Sequence, residues 1–307
     1  MNNSKKRHSG SAYRRFETMM NYYAKPGKDR TKAKQHPKKK KEQEKVKTIV
    51  ILNLKGGVGK TTTATNLAYE LSNVGDTLLI DADKQGNSTE FYGIRDFKYG
   101  LGDVLTAKNS DEALYLKAIC PARKPNGDIY PHLFVLPSDY RLMKSNISLL
   151  LDTSSGRDKR LRRYLAENES AFDFVVVDCA PDIDMANINA LMAADLALVP
   201  ITLDKNARKG LSEVWEQITA AQQENPKLKA HVIITRYRPD QAAKAAENTD
   251  LALLGSGIRE STVKVENSND AGTPLSVSSR WSNAARDFRA LTDDVLEVLG
   301  YEQPLPL

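Results

Sequence analysis

The run Thr48-Ile49-Val50-Ile51-Leu52-Asn53-Leu54-Lys55-Gly56-Gly57-Val58-Gly59-Lys60-Thr61-Thr62 decides the fold. Apolar, largely β-branched residues lead into a glycine-rich turn carrying two lysines, and residues 61–73 continue in a helical pattern. Strand, loop and helix in that order make a phosphate-binding loop. Gly56, Gly57 and Gly59 let backbone N–H groups turn inward around a polyphosphate. Lys60 can reach the outer phosphates, and the Thr61 hydroxyl can ligate Mg²⁺. The helix behind the loop turns its positive N-terminal end toward the anion. The general phosphate-loop spacing would place glycine at position 54, where this chain has Leu54; its distinctive addition is Lys55 at the head of the loop.

Two further segments extend this reading. Thr77-Leu78-Leu79-Ile80-Asp81-Ala82-Asp83 is a short apolar strand ending in carboxylates, followed by Gln85-Gly86-Asn87-Ser88-Thr89. Phe174-Val175-Val176-Val177-Asp178-Cys179-Ala180-Pro181 is a continuous apolar run into an aspartate, the pattern of a buried parallel strand. Ligands in open α/β sheets bind at that carboxyl edge. From Lys47 onward, short apolar runs alternate with longer amphipathic ones, which indicates a doubly wound, mostly parallel α/β domain. Strands are expected at 48–53, 77–81, 132–136, 173–178, 195–201 and 230–235. Helices are expected near 61–73, 138–151, 157–168, 184–193, 208–224 and 283–299, with Gly75 closing the first and Gly300 the last. Residues 237–256 give no clear pattern.

Charge divides the chain unevenly. Positions 1–47 hold 16 Lys/Arg against 4 Asp/Glu, a net of +12, while the whole chain is +6, so residues 48–307 sum to −6. The basic balance therefore belongs to the tail. Residues 1–46 read as a largely disordered extension, 47–301 as the nucleotide-binding domain and 302–307 as a short tail. Within the extension, Tyr13, Phe16, Met19, Met20 and Tyr23 recur at helical spacing behind Ser11. That pattern suits a short helix ordering on a partner as well as it suits stray apolar residues. Cys120 and Cys179 have no metal or redox spacing, as expected of structural thiols in a reducing compartment. No window approaches 18 consecutive apolar residues and the N-terminus lacks an apolar leader core. Neither a transmembrane span nor a secretory signal is expected, and the cytoplasm is the expected location.

Lys55-Gly56-Gly57-Val58-Gly59-Lys60-Thr61-Thr62 resembles the deviant Walker A motif of the ParA/MinD family of ATPases, closest to its Soj-type partition members. The Asp81–Thr89 segment resembles that family's switch signature, with Lys84 where the family usually has proline, and Phe174–Asp178 resembles its Walker B strand. Ile188-Asn189-Ala190-Leu191, Val199-Pro200-Ile201, Gly210-Leu211 and Gly272-Thr273-Pro274-Leu275 extend the resemblance over about residues 48–300. The resemblance implies a P-loop NTPase fold and hydrolysis of ATP with Mg²⁺. It places nucleotide on Gly56, Gly57, Val58, Gly59, Lys60, Thr61 and Thr62, with the adenine near Thr235 and Arg236. It places the metal or its waters on Thr61, Asp81 and Asp178, and the attacking water on Asp83. Lys55 would cross a two-fold interface to the partner subunit's γ-phosphate, making ATP binding a dimerisation switch.

The resemblance also implies nonspecific DNA binding through Arg259, Lys264, Arg280 and Arg286, nucleoid association, and stimulation by a ParB-like centromere-binding partner. An ordinary solvated face accounts for those four cations equally well. Other functions within the superfamily fit less well. A MinD-like membrane cycle needs a basic amphipathic C-terminal helix, whereas the chain ends with the acidic run Asp293–Gly300. An electron-transfer iron protein needs a cysteine pair, and a tyrosine-kinase relative a C-terminal tyrosine cluster. A positioning, conjugation or cell-division regulator outside DNA segregation remains the alternative.

Overall fold

In the computed structural model, residues 46–301 are described apart from 108–113, 115–116, 169–170, 204–206 and 239–252. The expected extension 1–46, apart from Val46, and the tail 302–307 lie outside the described residues, as does most of 237–256. The first half runs β1 (Lys47–Ile51), α1 (Lys60–Ser72), β2 (Thr77–Ala82), α2 (Asn87–Phe91), α3 (Leu101–Thr106), β3 (Cys120–Arg123), β4 (Ile129–Leu136), α4 (Arg141–Leu151) and α5 (Arg160–Glu167). The second runs β5 (Phe174–Cys179), α6 (Met185–Ala193), β6 (Leu196–Ile201), α7 (Ala207–Glu224), β7 (Lys229–Tyr237), β8 (Ile258–Arg259), α8 (Thr262–Asp270), α9 (Leu275–Ser278) and α10 (Asn283–Val298).

The strands form one sheet in the order β3-β4-β2-β5-β1-β6-β7-β8, parallel throughout except for β3 against β4. Both faces are covered, which is why the central strands read as unbroken apolar runs. Side chains alternate between faces along each strand. Val50, Leu78, Val175 and Val177 pack with Leu142, Leu149, Leu161 and Ile218 on one side. Ile49, Ile51, Leu79 and Val176 pack with Leu67, Leu71, Phe288 and Leu291 on the other. Because β5 sits between β1 and β2, the turns after β1, β2 and β5 converge at one stretch of the carboxyl edge. That convergence is the crevice in which open α/β sheets bind ligands.

All six expected strands are present. The expected helices are present too, starting up to three residues late at α4 and α5. Gly300 closes α10 as expected: its φ is 64°, its N–H donates to Glu297 O at 2.9 Å, and the Tyr301 N–H donates to Leu296 O at 2.9 Å. Gly75 closes α1 as expected, its N–H donating to Leu71 O at 3.0 Å. It needs no left-handed backbone; a Cβ there would lie 2.5 Å from Asp173 Oδ2, the oxygen that accepts the Asp76 N–H at 2.8 Å. Close approach is what glycine itself adds at that position. The reading of the sequence passed over β3, β8, α2, α3, α8 and α9. β3 holds Pro121, tolerated because the strand lies at the sheet edge, and the others are too short for a periodic signal.

Candidate nucleotide site

The loop between β1 and α1 is held open from both flanks. Asn53 Nδ2 donates to Pro200 O on β6 at 2.7 Å, and Asn53 Oδ1 accepts the Lys55 N–H at 2.9 Å. Across the loop, Thr235 Oγ1 donates to Val58 O at 2.8 Å, and Arg236 Nη1 donates to Gly57 O at 3.1 Å. Gly57 and Gly59 have φ of 74° and 90°, which strain any other residue type. A Cβ built on Gly56 or Gly57 would meet nothing within 4 Å. The loop thus borders open space, and Gly56, Gly57 and Gly59 line the pocket beside it.

Lys60 begins α1 and is buried; its Nζ donates to Lys55 O at 3.0 Å. Burial pushes its ammonium below the ordinary lysine value, opposed by the negative charge of Asp178. Asp178 is the penultimate residue of β5 and is itself buried. Its Oδ2 accepts the Ser88 hydroxyl at 2.5 Å and its carboxylate bonds the Thr61 side chain, whereas Oδ1 is buried without a hydrogen-bond partner. Desolvation raises the Asp178 pKa. An orphaned carboxylate oxygen beside a threonine hydroxyl, in front of a lysine, fits a hydrated divalent cation. Among the described residues no three His, Cys, Asp or Glu side chains converge on a metal position. The remaining ligands therefore have to be phosphate oxygens and water, the coordination Mg²⁺ favours.

The two other carboxylates of the site are occupied differently. Asp81 is fully buried; its Oδ1 accepts the Asp83 N–H at 3.1 Å, and its Oδ2 accepts the Thr89 N–H and hydroxyl at 2.8 and 2.7 Å. Both its oxygens are thus engaged in anchoring the turn into α2, whereas Asp178 keeps one oxygen without a hydrogen-bond partner. Desolvation together with the charge of Asp178 raises the Asp81 pKa. Asp83 lines the pocket, with its Oδ1 accepting the Gln85 N–H at 2.9 Å. Gly86, φ 68°, brings this turn so close to Ser138 that a Cβ would lie 2.8 Å from its carbonyl. Lys84, at the position where proline was expected, reaches Asp182 Oδ2 at 3.2 Å and so joins the turn after β2 to the turn after β5.

The pocket at this edge has a volume of about 470 Å³. Its phosphate end is lined by Gly56, Gly57, Gly59, Lys60, Thr61, Thr62 and Asp83. Thr235 and Arg236 line it as expected. The far wall was not foreseen: it is built from β8, α8 and α10, with Arg259, Ser261, Thr262, Val265, Glu266 and Phe288. Arg259, expected on a DNA-facing surface, belongs to this wall, and Asp287 clamps it from Nε and Nη2 at 2.9 and 2.5 Å. Lys264, Arg280 and Arg286 are exposed on α8, before α10 and on its first turn. Lys55 is half-buried and is not among the described residues lining its own pocket. Asn53 escaped the reading of the sequence because a single polar residue carries no periodic or motif signal of its own; Ser88 and Thr89 were read within the switch segment but given no individual role.

This fold and site define a P-loop nucleotide-binding protein of the doubly wound α/β class. Residues 46–230 match the AAA_31 family of AAA domains, and the chain belongs to the ParA/MinD family of P-loop ATPases. The chain is 32% identical over 258 residues to the cell division protein PomZ of Myxococcus xanthus, covering 80% of this chain and 77% of PomZ. It is 35% identical over 179 residues to the sporulation initiation inhibitor protein Soj of Bacillus subtilis, covering 57% and 66% of the two chains. Among solved structures, the ATP complex of a Cyanothece McdA variant superposes with a TM-score of 0.68 at 25% identity, over 85% of this chain and 99% of McdA. Cobyrinic acid a,c-diamide synthase from Mycobacterium smegmatis, with bound ADP and magnesium, gives 0.67 at 25% identity, over 85% and 99%. The protein is an ATPase of the partition and positioning type and uses ATP with Mg²⁺. No helix among the described residues is long and apolar enough to cross a membrane.

Proposed function

We propose that this protein is a cytoplasmic, nucleoid-associated partition ATPase: ATP closes two subunits into a sandwich dimer, the dimer binds DNA without regard to sequence, and a ParB-like partner stimulates hydrolysis. Lys55 carries the reading. It heads the loop and its carbonyl accepts the Lys60 ammonium at 3.0 Å, and the resemblance to the ParA/MinD family assigns a lysine at this position to the γ-phosphate of the partner subunit. ATP then supplies contacts that exist only in the dimer, which is what a nucleotide switch requires.

Phosphoryl transfer asks mainly for positioning and charge neutralisation. Lys60 and the amides of residues 56–61 would hold the β- and γ-phosphates, while Thr61 and Asp178, with Asp81 through water, would hold Mg²⁺, which would supply neutralisation of their charge. Asp83, at the pocket surface on a turn pinned through Asp81, orients the attacking water. Val58 and Thr62 complete the loop, and Thr235 and Arg236 brace it beside the base. DNA contacts fall to Lys264, Arg280 and Arg286, through phosphates. The basic tail adds affinity that does not depend on nucleotide.

The test combines light scattering with DNA titration. In an Asp83→Ala background, Mg-ATP should give a dimer and its absence a monomer, and adding Lys55→Ala should restore the monomer while ATP still binds. A dimer that persists without both Lys55 and ATP overturns the switch. With residues 1–46 deleted, ATP-dependent DNA binding should remain and disappear on charge reversal at Lys264 and Arg280. If it is absent from the truncated chain, the positioning reading, favoured by the likeness to the cell division protein PomZ, replaces partition.

A further inference from the structure

Asp83 stands at the head of a tight turn. The Gly86 N–H donates to Asp83 O at 3.0 Å and Asp83 Oδ1 accepts the Gln85 N–H at 2.9 Å, so residues 83–86 form a β-turn that the aspartate side chain itself helps to close. Both ends of the turn are fixed. The Asp83 N–H donates to Asp81 Oδ1 at 3.1 Å, and Gly86 enters α2 packed against the Ser138 carbonyl. Lys84 holds the second position of the turn, where a proline would set φ at about −65° by its ring alone. Lysine has no such lock, and its Nζ instead reaches Asp182 Oδ2 at 3.2 Å. Asp182 is a firm anchor: Asn187 Nδ2 donates to its carbonyl at 2.6 Å and to Ala180 O at 2.9 Å, while Asp184 caps α6 by accepting the Asn187 N–H at 2.9 Å. The carboxylates of Asp83 and Asp184 add their negative charge around the same ammonium.

We propose that Lys84 is a positioning residue for hydrolysis: its ammonium on Asp182 tethers the turn after β2 to the turn after β5 and so holds the Asp83 carboxylate in place for the attacking water. The inference rests on the assignment of that water to Asp83 and adds the group that keeps Asp83 there. Asp83 on one turn and Pro181 on the other both line the pocket, so the tether joins two parts of its wall. Position matters because a displacement of about 1 Å in a reacting group can cost roughly 100-fold in rate. The side chains of Lys84 and Asp182 are 41% and 55% exposed, which makes the tether a weak one. An exposed pair shifts an equilibrium by at most roughly fivefold and is screened by salt. A proline would hold the turn permanently; this lysine holds it only while the pair lasts, and turnover thereby becomes sensitive to ionic strength.

The test is steady-state hydrolysis of Mg-ATP by the full-length protein, beside a fluorescent-ATP titration. Lys84→Met and Asp182→Asn should each lower kcat by roughly two- to fivefold, with ATP affinity held within about twofold. The double variant should lose no more than either single one, because both remove the same contact. Lys84→Arg should restore the parent rate. Lys84→Pro should keep that rate and lose the decline in kcat that the parent shows as salt is raised; an equal salt dependence in the two overturns the tether. A diffuse charge effect moves ATP affinity in opposite directions in Lys84→Met and Asp182→Asn, since one removes a cation and the other an anion, and that result also overturns it. So does a loss confined to Lys84→Met, or additive losses in the double variant, because either makes the lysine act without Asp182. Asp83→Ala separates the tether from the reading beneath it. If Asp83→Ala is slow while Lys84→Met and Asp182→Asn match the parent, the tether alone fails. If Asp83→Ala hydrolyses ATP normally, the assignment of the water fails and the tether with it.

Discussion

At the phosphate end of the pocket, Lys60, Asp83 and Asp178 are buried, with Lys60 Nζ, Asp83 Oδ1 and Asp178 Oδ2 each hydrogen-bonded and Asp178 Oδ1 left without a partner. At the opposite end, where the proposed function puts the base, Arg236, Thr262 and Glu266 are exposed, and Arg259 is held by a single carboxylate. The difference follows from what each end must recognise. Phosphates and their metal carry concentrated charge, which is recognised most strongly by fixed dipoles and ions shielded from water. The base is a flat, nearly neutral surface, for which half-exposed walls of mixed character suffice. Left-handed backbone occurs at both ends: Gly57, Gly59 and Gly86 have positive φ, which glycine adopts freely, and Arg236 has φ 54°.

The contrast can be broken most sharply at Lys60. Lys60→Ala removes a charge-assisted bond of about 3 kcal/mol, so ATP affinity should fall at least about 100-fold in a fluorescent-nucleotide titration. Asp83→Ala should leave that affinity within about threefold while kcat drops roughly 100- to 1,000-fold, as loss of a group positioning the water predicts. Normal turnover in this variant would move the water to another residue. Gly86→Ala meets both a positive φ and the Ser138 carbonyl, and should cost about 2–3 kcal/mol in urea unfolding. Gly56→Ala, in open space, should change stability by under about 0.5 kcal/mol and still impair phosphate binding. At the base end, Glu266→Ala should weaken ATP by less than about fivefold, under 1 kcal/mol, because its bonds compete with water. A loss as large as that of Lys60→Ala would show the two ends to be equally demanding.

The smallest effect lies away from the site. His132 Nδ1 pairs with Asp76 Oδ1 at 2.8 Å, and this bond, opposed by burial, raises the imidazole pKa. A raised folded-state pKa contributes stability fully below the unfolded value near 6.5 and loses it as pH climbs through the folded value. Both partners are partly exposed, so the contribution is screened to about 0.5 kcal/mol. Unfolding of the parent should therefore show that increment lost between roughly pH 6 and pH 8, and Asp76→Asn should show no such dependence. An equal slope in both proteins assigns it to other groups.

The phosphate end was legible in the amino-acid sequence and the base end was not, for a reason visible in particular residues. Gly56 to Thr62 are consecutive, and the geometry they need is set within one turn by glycine φ values and a helix N-terminus. Asp81, Asp83 and Asp178 each end an apolar strand, and strand periodicity announces that position. Arg259, Val265 and Glu266 come from a two-residue strand and a nine-residue helix that follow a stretch without pattern, and no local signal ties them to residue 57. The bonds from Thr89 to Asp81 were illegible for the same reason: only the folded chain brings Thr89 to that carboxylate.

Local chemistry in the sequence thus determined the phosphate loop, the alternation of strands and helices and the parallel sheet, because dihedral preference, burial period and charge type act over a few residues. Tertiary structure alone decided which carboxylate keeps an oxygen without a hydrogen bond, that Arg259 is a pocket wall clamped by Asp287, and that α4 leaves an apolar face uncovered. Those outcomes depend on which distant groups compete for the same lone pair or the same surface. Such competition is settled only when the sheet brings residues 81, 89 and 178, or 259 and 287, within hydrogen-bonding distance.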